Sequence, residues 1–290
     1  MPNFGNLSQK IERSFVINGK AKSTYTNYVR CLAHIGLHFK ISPEKLSIEQ
    51  IQDYLYHCKS LDNSPSESFF KHTIFGLRVA YKVFGLKDKR VALPVLKAQK
   101  SLPVVLSKQE VKQLLKAPKF LRHRLILGML YSCGLRSYEL CNLRLCDVDF
   151  DRKTVFVKKQ KGNFDRYIPL SKLIIKGLKD YISTESPVEF LFNSQVTYDG
   201  KPRGLTRSTI QWILKENRSK VDTHKHITSH VLRHTYATHL LEDGLNIMAV
   251  KELLGHARIE TTIIYLHVTN TGNSIKFSPL DTLYSTNEKA

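Results

Sequence analysis

Acidic residues are scarce in this chain: 25 Asp and Glu stand against 45 Lys and Arg in 290 residues, a formal charge of +20 before any of the 12 His is counted. Cysteine is also sparse. The five present (Cys31, Cys58, Cys133, Cys141 and Cys146) are odd in number and include no Cys-x-x-Cys pair. That argues against a secreted disulfide framework and a four-cysteine zinc site, and for a reducing cytosol. No stretch approaches the roughly 18 uninterrupted apolar residues of a membrane span, and residues 1–22 alternate polar and apolar side chains without the apolar centre of a signal peptide. A soluble, cytoplasmic chain with no membrane partner is expected. The marks of nucleotide chemistry are missing too: there is no Gly-x-x-x-x-Gly-Lys loop, no Gly-x-Gly-x-x-Gly turn and no evident carboxylate cage for paired metal ions.

What is there is a globular composition, 42% hydrophobic and 24% charged, which excludes a disordered polybasic tail. The length suits two domains, each able to bury its own core. An excess of positive charge this large implies nucleic acid or an anionic lipid surface, with plain solubility as the bland account. No strongly amphipathic basic helix speaks for lipid, so nucleic acid is the expected partner. Residues 1–100 hold 16 Lys and Arg against 7 Asp and Glu (+9), and the remainder 29 against 18 (+11). Charge spread over both halves fits two modules facing one polyanion, as in a clamp.

Apolar periodicity predicts helices through the first 85 or so residues. Ser23 is the expected cap of one through Tyr25, Tyr28, Leu32, Ile35 and Phe39, and Ser47 of a second through Ile48, Ile51 and Tyr54. A third follows Ser64-Pro65 and stops near Gly85. From Lys87 to Leu106 neither period fits, and the segment reads as an extended basic linker. Ser107 with Glu110 then forms a capping box that opens a second domain. Helices are expected over 122–133 and 137–143, a β-hairpin over 154–158 and 166–170 around Lys161-Gly162-Asn163, and helices over 173–181, 206–217, 229–242, 246–254 and 260–267.

Four places in this second domain hold reactive side chains. Arg136 stands at a helix start with Glu139 three residues on, a spacing that also describes an ordinary surface ion pair. Lys161 sits at the hairpin tip, where lysines are most often just solvated. His230 and Arg233 share a helix face and can converge on one anion. The spacing from His230 to His234 equally suits a zinc pair, but the Glu that would follow the first His is absent. Gly255 is placed to cap a helix and orient His256, and Tyr265 follows nine residues later.

Gathered around one phosphodiester, these groups would have distinct tasks. Attack on phosphorus builds charge on two nonbridging oxygens, which the guanidinium forks of Arg136 and Arg233 match. Tyr265 can be the nucleophile and Lys161 can protonate the departing sugar oxygen, with no metal or cofactor needed. The order Arg136, Lys161, His230-x-x-Arg233, His256, Tyr265 lies within the strings Gly-Leu-Arg-Ser-x-Glu-Leu, Lys-Gly-Asn, His-x-Leu-Arg-His and Leu-Gly-His. It resembles the tyrosine recombinase (phage integrase) family, in its Xer-like and mobile-element branch.

That resemblance implies a mainly α fold in three parts: an N-terminal four-helix, SAM-like DNA-binding domain over 1–86, a basic linker over 87–104, and a mostly helical catalytic domain with a small β-hairpin or sheet over 105–290. It implies a C-shaped clamp on duplex recombination sites, a 3′-phosphotyrosyl link at Tyr265, a phosphate clamp by Arg136 and Arg233, and general-acid action by Lys161. His230 and His256 would assist proton transfer and hydrogen bonding. To these we add Glu139, as a carboxylate orienting an arginine, and Lys89, Arg90, Lys97 and Lys100 on the DNA backbone. A homotetramer on two DNA sites, alone or with a second recombinase, is implied, in the cytoplasm at the nucleoid. The string Lys276-Phe277-Ser278-Pro279-Leu280-Asp281 is similar to the end of integron-type integrases, although the interval from Lys161 to His230 leaves no room for their extra helix. Two other functions share parts of this pattern: a type IB topoisomerase, and an accessory DNA-binding relative without catalysis.

Overall fold

The structure, a computed structural model, describes residues 4–94, 102–158, 165–194 and 201–269. The chain divides into two compact units, Met1–Lys100 and Ser101–Ala290.

The first unit holds α1 (Phe4–Ile17), α2 (Lys22–Phe39), α3 (Ile48–Lys59), α4 (Glu67–Val83) and the short α5 (Lys87–Ala92). Leu7, Ile11 and Phe15 of α1 recur every four residues and enter a core with Leu32, Ile35, Ile51, Ile74, Leu77 and Tyr81. Ser47 caps α3 as expected, in a capping box with Gln50. Ser23 does not cap α2. It lies inside the first turn, and Ala21 holds the cap position without a side-chain hydrogen bond. The expected extended linker also begins differently: residues 87–92 are helical, and Leu93 is buried in the unit's core. Lys89 turns its ammonium inward, donating to the Leu46 carbonyl at 2.9 Å and the Glu44 carbonyl at 3.4 Å. Arg90 is exposed. Lys97 and Lys100 lie outside the described residues, as do Lys161 and the 276–281 string.

The second unit opens with α6 (Lys108–Lys116), whose Ser107–Glu110 capping box forms as expected. Next come α7 (Leu121–Ser132), α8 (Ser137–Cys141) and strands β1 (Val148–Asp149), β2 (Thr154–Val157) and β3 (Arg166–Pro169). Helices α9 (Lys172–Glu185), α10 (Arg207–Arg218), α11 (Ser229–Glu242), α12 (Ile247–Leu254) and α13 (Glu260–Ile263) complete it. Five consecutive positions of α7 from Leu125 to Met129, and Leu130 after them, are buried. This helix therefore runs through the core instead of along its surface, packed by α9 and α11. The strands form one antiparallel sheet in the order β1-β2-β3, one strand more than the expected hairpin, with Val155 opposite Ile168 and Val157 opposite Arg166. No helix among the described residues is long and apolar enough to cross a membrane.

Candidate active site

Gly134 ends the turn after α7 at φ 57°, where a β-carbon would strike the Tyr236 ring. That tight turn sets Arg136 at the N-cap of α8. From there the Arg136 backbone N–H donates to Glu139 Oε2 at 2.9 Å and its Nη1 to Glu139 Oε1 at 3.0 Å. The same carboxylate accepts a fork from Arg166, Nη1 to Oε1 at 3.1 Å and Nη2 to Oε2 at 2.8 Å. Arg233 Nη1 stands 3.9 Å from Oε2. Its two terminal nitrogens donate to the carbonyls of Gly134 and Leu254, both at 2.6 Å. Three guanidiniums thus surround one buried carboxylate.

Their electrostatics follow from that crowding. Burial works to raise the Glu139 carboxyl, but the hydrogen bonds and charge of Arg166 outweigh it and hold the group below the usual carboxylate range. Burial, reinforced by Arg136, pushes the Arg233 guanidinium down to about 9, with Glu139 opposing. It stays cationic at neutral pH. The cluster therefore carries net positive charge, which suits an anion.

Helix α12 ends at Gly255, which takes φ 65° and caps the helix in the left-handed conformation. His256 follows, buried, with Nδ1 2.9 Å from the Thr262 hydroxyl oxygen. Burial and then the charges of Arg233, Arg136 and Arg166 push this imidazole down to about 3. Its ring stacks on Tyr265 at 17° with centroids 6.4 Å apart. Tyr265 is 2% exposed, and its hydroxyl lies 3.0 Å from His234 Nδ1. Burial raises the phenol, while Arg233 and Arg136 pull it back toward ionisation. His234 is itself lowered, by burial first and then by His230 and Arg233.

The expected residues Arg136, Glu139, Arg233, His256 and Tyr265 converge in this one place. His230 is exposed on α11, one turn before His234. Two participants were not anticipated. Arg166 occupies the inward register of β3, the same face as buried Ile168; a charged residue at such a position signals a buried partner. His234 reads in the sequence only as half of a zinc pair. Among the described residues no group of three His, Cys, Asp or Glu is placed to hold a metal ion. The His234 Nδ1 engages the Tyr265 hydroxyl instead.

Residues 104–271 match the phage integrase family. A tyrosine recombinase XerA of Thermococcus onnurineus (strain NA1) is 32% identical over 277 residues, covering 93% of each chain. A tyrosine recombinase XerA of Pyrococcus horikoshii (strain ATCC 700860 / DSM 12428 / JCM 9974 / NBRC 100139 / OT-3) is 38% identical over 260 residues, 87% of this chain and 86% of its own. Among solved structures, the Tn1549 transposon integrase in complex with transposon right end DNA shares the fold with a TM-score of 0.70 at 19% identity, over 89% of this chain and 94% of that one. The match spans the helices and strands that position Arg136, Glu139, Arg166, Arg233, His256 and Tyr265, and the chain belongs to the phage integrase family of tyrosine recombinases.

Proposed function

We propose that this tyrosine recombinase cuts and rejoins duplex DNA through a 3′-phosphotyrosyl link at Tyr265, using neither metal ion nor nucleotide. The carrying observation is the arginine cluster on Glu139 beside the Tyr265 phenol. Attack breaks the phenolic O–H bond, forms the Oη–P bond and expels the 5′ sugar oxygen. The phenolic proton passes to neutral His234 Nδ1, 3.0 Å away. Lys161 protonates the leaving oxygen. Arg136 and Arg233 hold the two nonbridging oxygens as their charge grows. With the Thr262 hydroxyl donating to Nδ1 of His256, the other ring nitrogen of His256 is left to donate to phosphate. His230, exposed on α11, adds a further donor. One phosphodiester replaces another, so the bond energy is kept for the 5′-hydroxyl of the partner strand, which reverses the step.

Residues 1–86, extended by α5 and Leu93, form the DNA-binding module. Arg90, Lys97 and Lys100 lie along the duplex backbone, and residues 105–290 form the catalytic module. Lys89, held by its own unit's carbonyls, is a weaker candidate for a backbone contact. Four protomers act on two recombination sites of a mobile element or chromosome, in the cytoplasm at the nucleoid. A nicked suicide substrate that loses its 5′-hydroxyl fragment by diffusion should trap a covalent protein–DNA adduct with the native chain and none with Tyr265→Phe. An adduct with the Phe variant would overturn the assignment of the nucleophile.

A further inference from the structure

We propose that Arg166 is a positioning residue that occupies Glu139 so that Arg233 remains available to the scissile phosphate. The proposal rests on the reading of Arg136 and Arg233 as the phosphate clamp. Arg166 is 7% exposed and its side-chain hydrogen bonds go inward: the fork to Glu139, and Nε to the Leu253 carbonyl at 2.7 Å. Both of its terminal nitrogens are turned to Glu139. Its Nη1 lies 2.9 Å from where a β-carbon on Gly255 would be, so the residue before His256 closes over it. One side chain therefore ties β3 to α8 and to the end of α12.

The charge count gives this arrangement a consequence. Three arginines and one carboxylate leave a net +2 around the site. Without Arg166, Glu139 has one cation fewer and two arginines still in reach, at 3.0 and 3.9 Å. With Arg136 already bonded to Oε1 and Oε2 relieved of its 2.8 Å partner, the buried carboxylate draws the Arg233 fork from 3.9 Å toward itself. The clamp then faces its phosphate with about +1 and in the wrong geometry. Removing the Glu139 charge as well removes that pull on Arg233. The same substitution that harms the native chain thus repairs the Arg166 variant.

The test is single-turnover cleavage of the suicide substrate, with DNA affinity measured separately. Arg166→Met should slow adduct formation about 10²-fold, the scale of losing one preorganised donor to a developing oxyanion. DNA affinity should change by no more than about threefold, because it comes from backbone contacts spread along the chain. Glu139→Gln alone should also slow cleavage, yet Arg166→Met with Glu139→Gln should regain about tenfold or more over Arg166→Met. A purely architectural role predicts the opposite, a double variant no better than the single, and that result would overturn the proposal. Should the Met variant not fold, Arg166→Lys keeps the cation but loses the fork. It should lose about tenfold and recover on adding Glu139→Gln, and a further loss on that addition overturns the proposal equally. Arg136→Ala and Arg233→Ala in parallel separate the failures: undiminished adduct formation there refutes the clamp reading itself, whereas a large loss confines any failure to Arg166.

Discussion

The Tyr265 hydroxyl lies 3.0 Å from Nδ1 of His234, on the residue that directly follows Arg233 in α11. One helix thus places a guanidinium at the Glu139 cluster and an imidazole beside the Tyr265 hydroxyl from adjacent positions. If the phenolic proton leaves through that imidazole, His234→Phe should slow adduct formation about 10²-fold, the lower range for a positioned proton acceptor. An unchanged single-turnover rate would show that the proton takes another route.

The low His256 value makes a pH prediction whose sign is fixed. An imidazole that titrates near 6.5 when unfolded and at about 3 when folded is protonated preferentially in the unfolded chain. Its contribution is intact above pH 6.5 and is lost as pH falls from there toward 3. Between pH 7 and 5 this amounts to roughly 1–2 kcal/mol. Denaturant unfolding of the native chain and His256→Asn at both pH values should show the native chain losing more by about that amount. Equal losses would place the titration elsewhere.

Gly134→Ala should destabilise the second unit by about 2–4 kcal/mol. It forces an L side chain into φ 57° and drives its β-carbon into Tyr236, and it disturbs the carbonyl that holds Arg233. The thermal midpoint should fall and cleavage with it. A variant as stable as the native chain would mean that the turn relaxes freely.

Lys161→Ala should slow cleavage of an ordinary substrate and be rescued when sulfur replaces the 5′ leaving oxygen, since a thiolate leaves without a proton. No rescue would count against the general acid. With the same native protein, EDTA should leave cleavage intact, and loss restored by zinc would return His230 and His234 to the role of ligands.

DNA affinity should fall steeply with salt, as release of counterions from many phosphate contacts requires. A shallow slope would mark most of the +20 as solubility. Efficient relaxation of a supercoiled plasmid lacking any recombination site would point instead to topoisomerase chemistry.

Most elements were legible because their signals are local. Ser47, Ser107, Thr206, Thr228 and Asn246 each cap a helix within three residues of the cap, and Gly255 ends α12 by its own backbone freedom. Ser23 misled because any hydroxyl near a helix start resembles a cap, and neighbouring turns decide which residue takes that position. Residues 87–92 misled because a charged six-residue helix has too little periodicity of its own. It is held by packing on α4 and by Leu93 in the core. β1, at two residues, is too short to alternate at all.

The sequence by itself determined the mainly helical class, the charge that calls for a polyanion, and six reactive residues in an order that names a family. Each depends on composition or on side chains a few positions apart. The tertiary structure alone decided what those residues touch. Glu139 meets Arg166 across 27 positions and Arg233 meets the Gly134 carbonyl across 99. Contacts at such separations form only when the core of the second unit closes, because chain entropy resists them until burial of apolar surface outweighs it. Arg166 read as one strand residue among others and His234 as half of a zinc pair. Folding is what made the first a counterion to the site's carboxylate and the second the neighbour of its tyrosine.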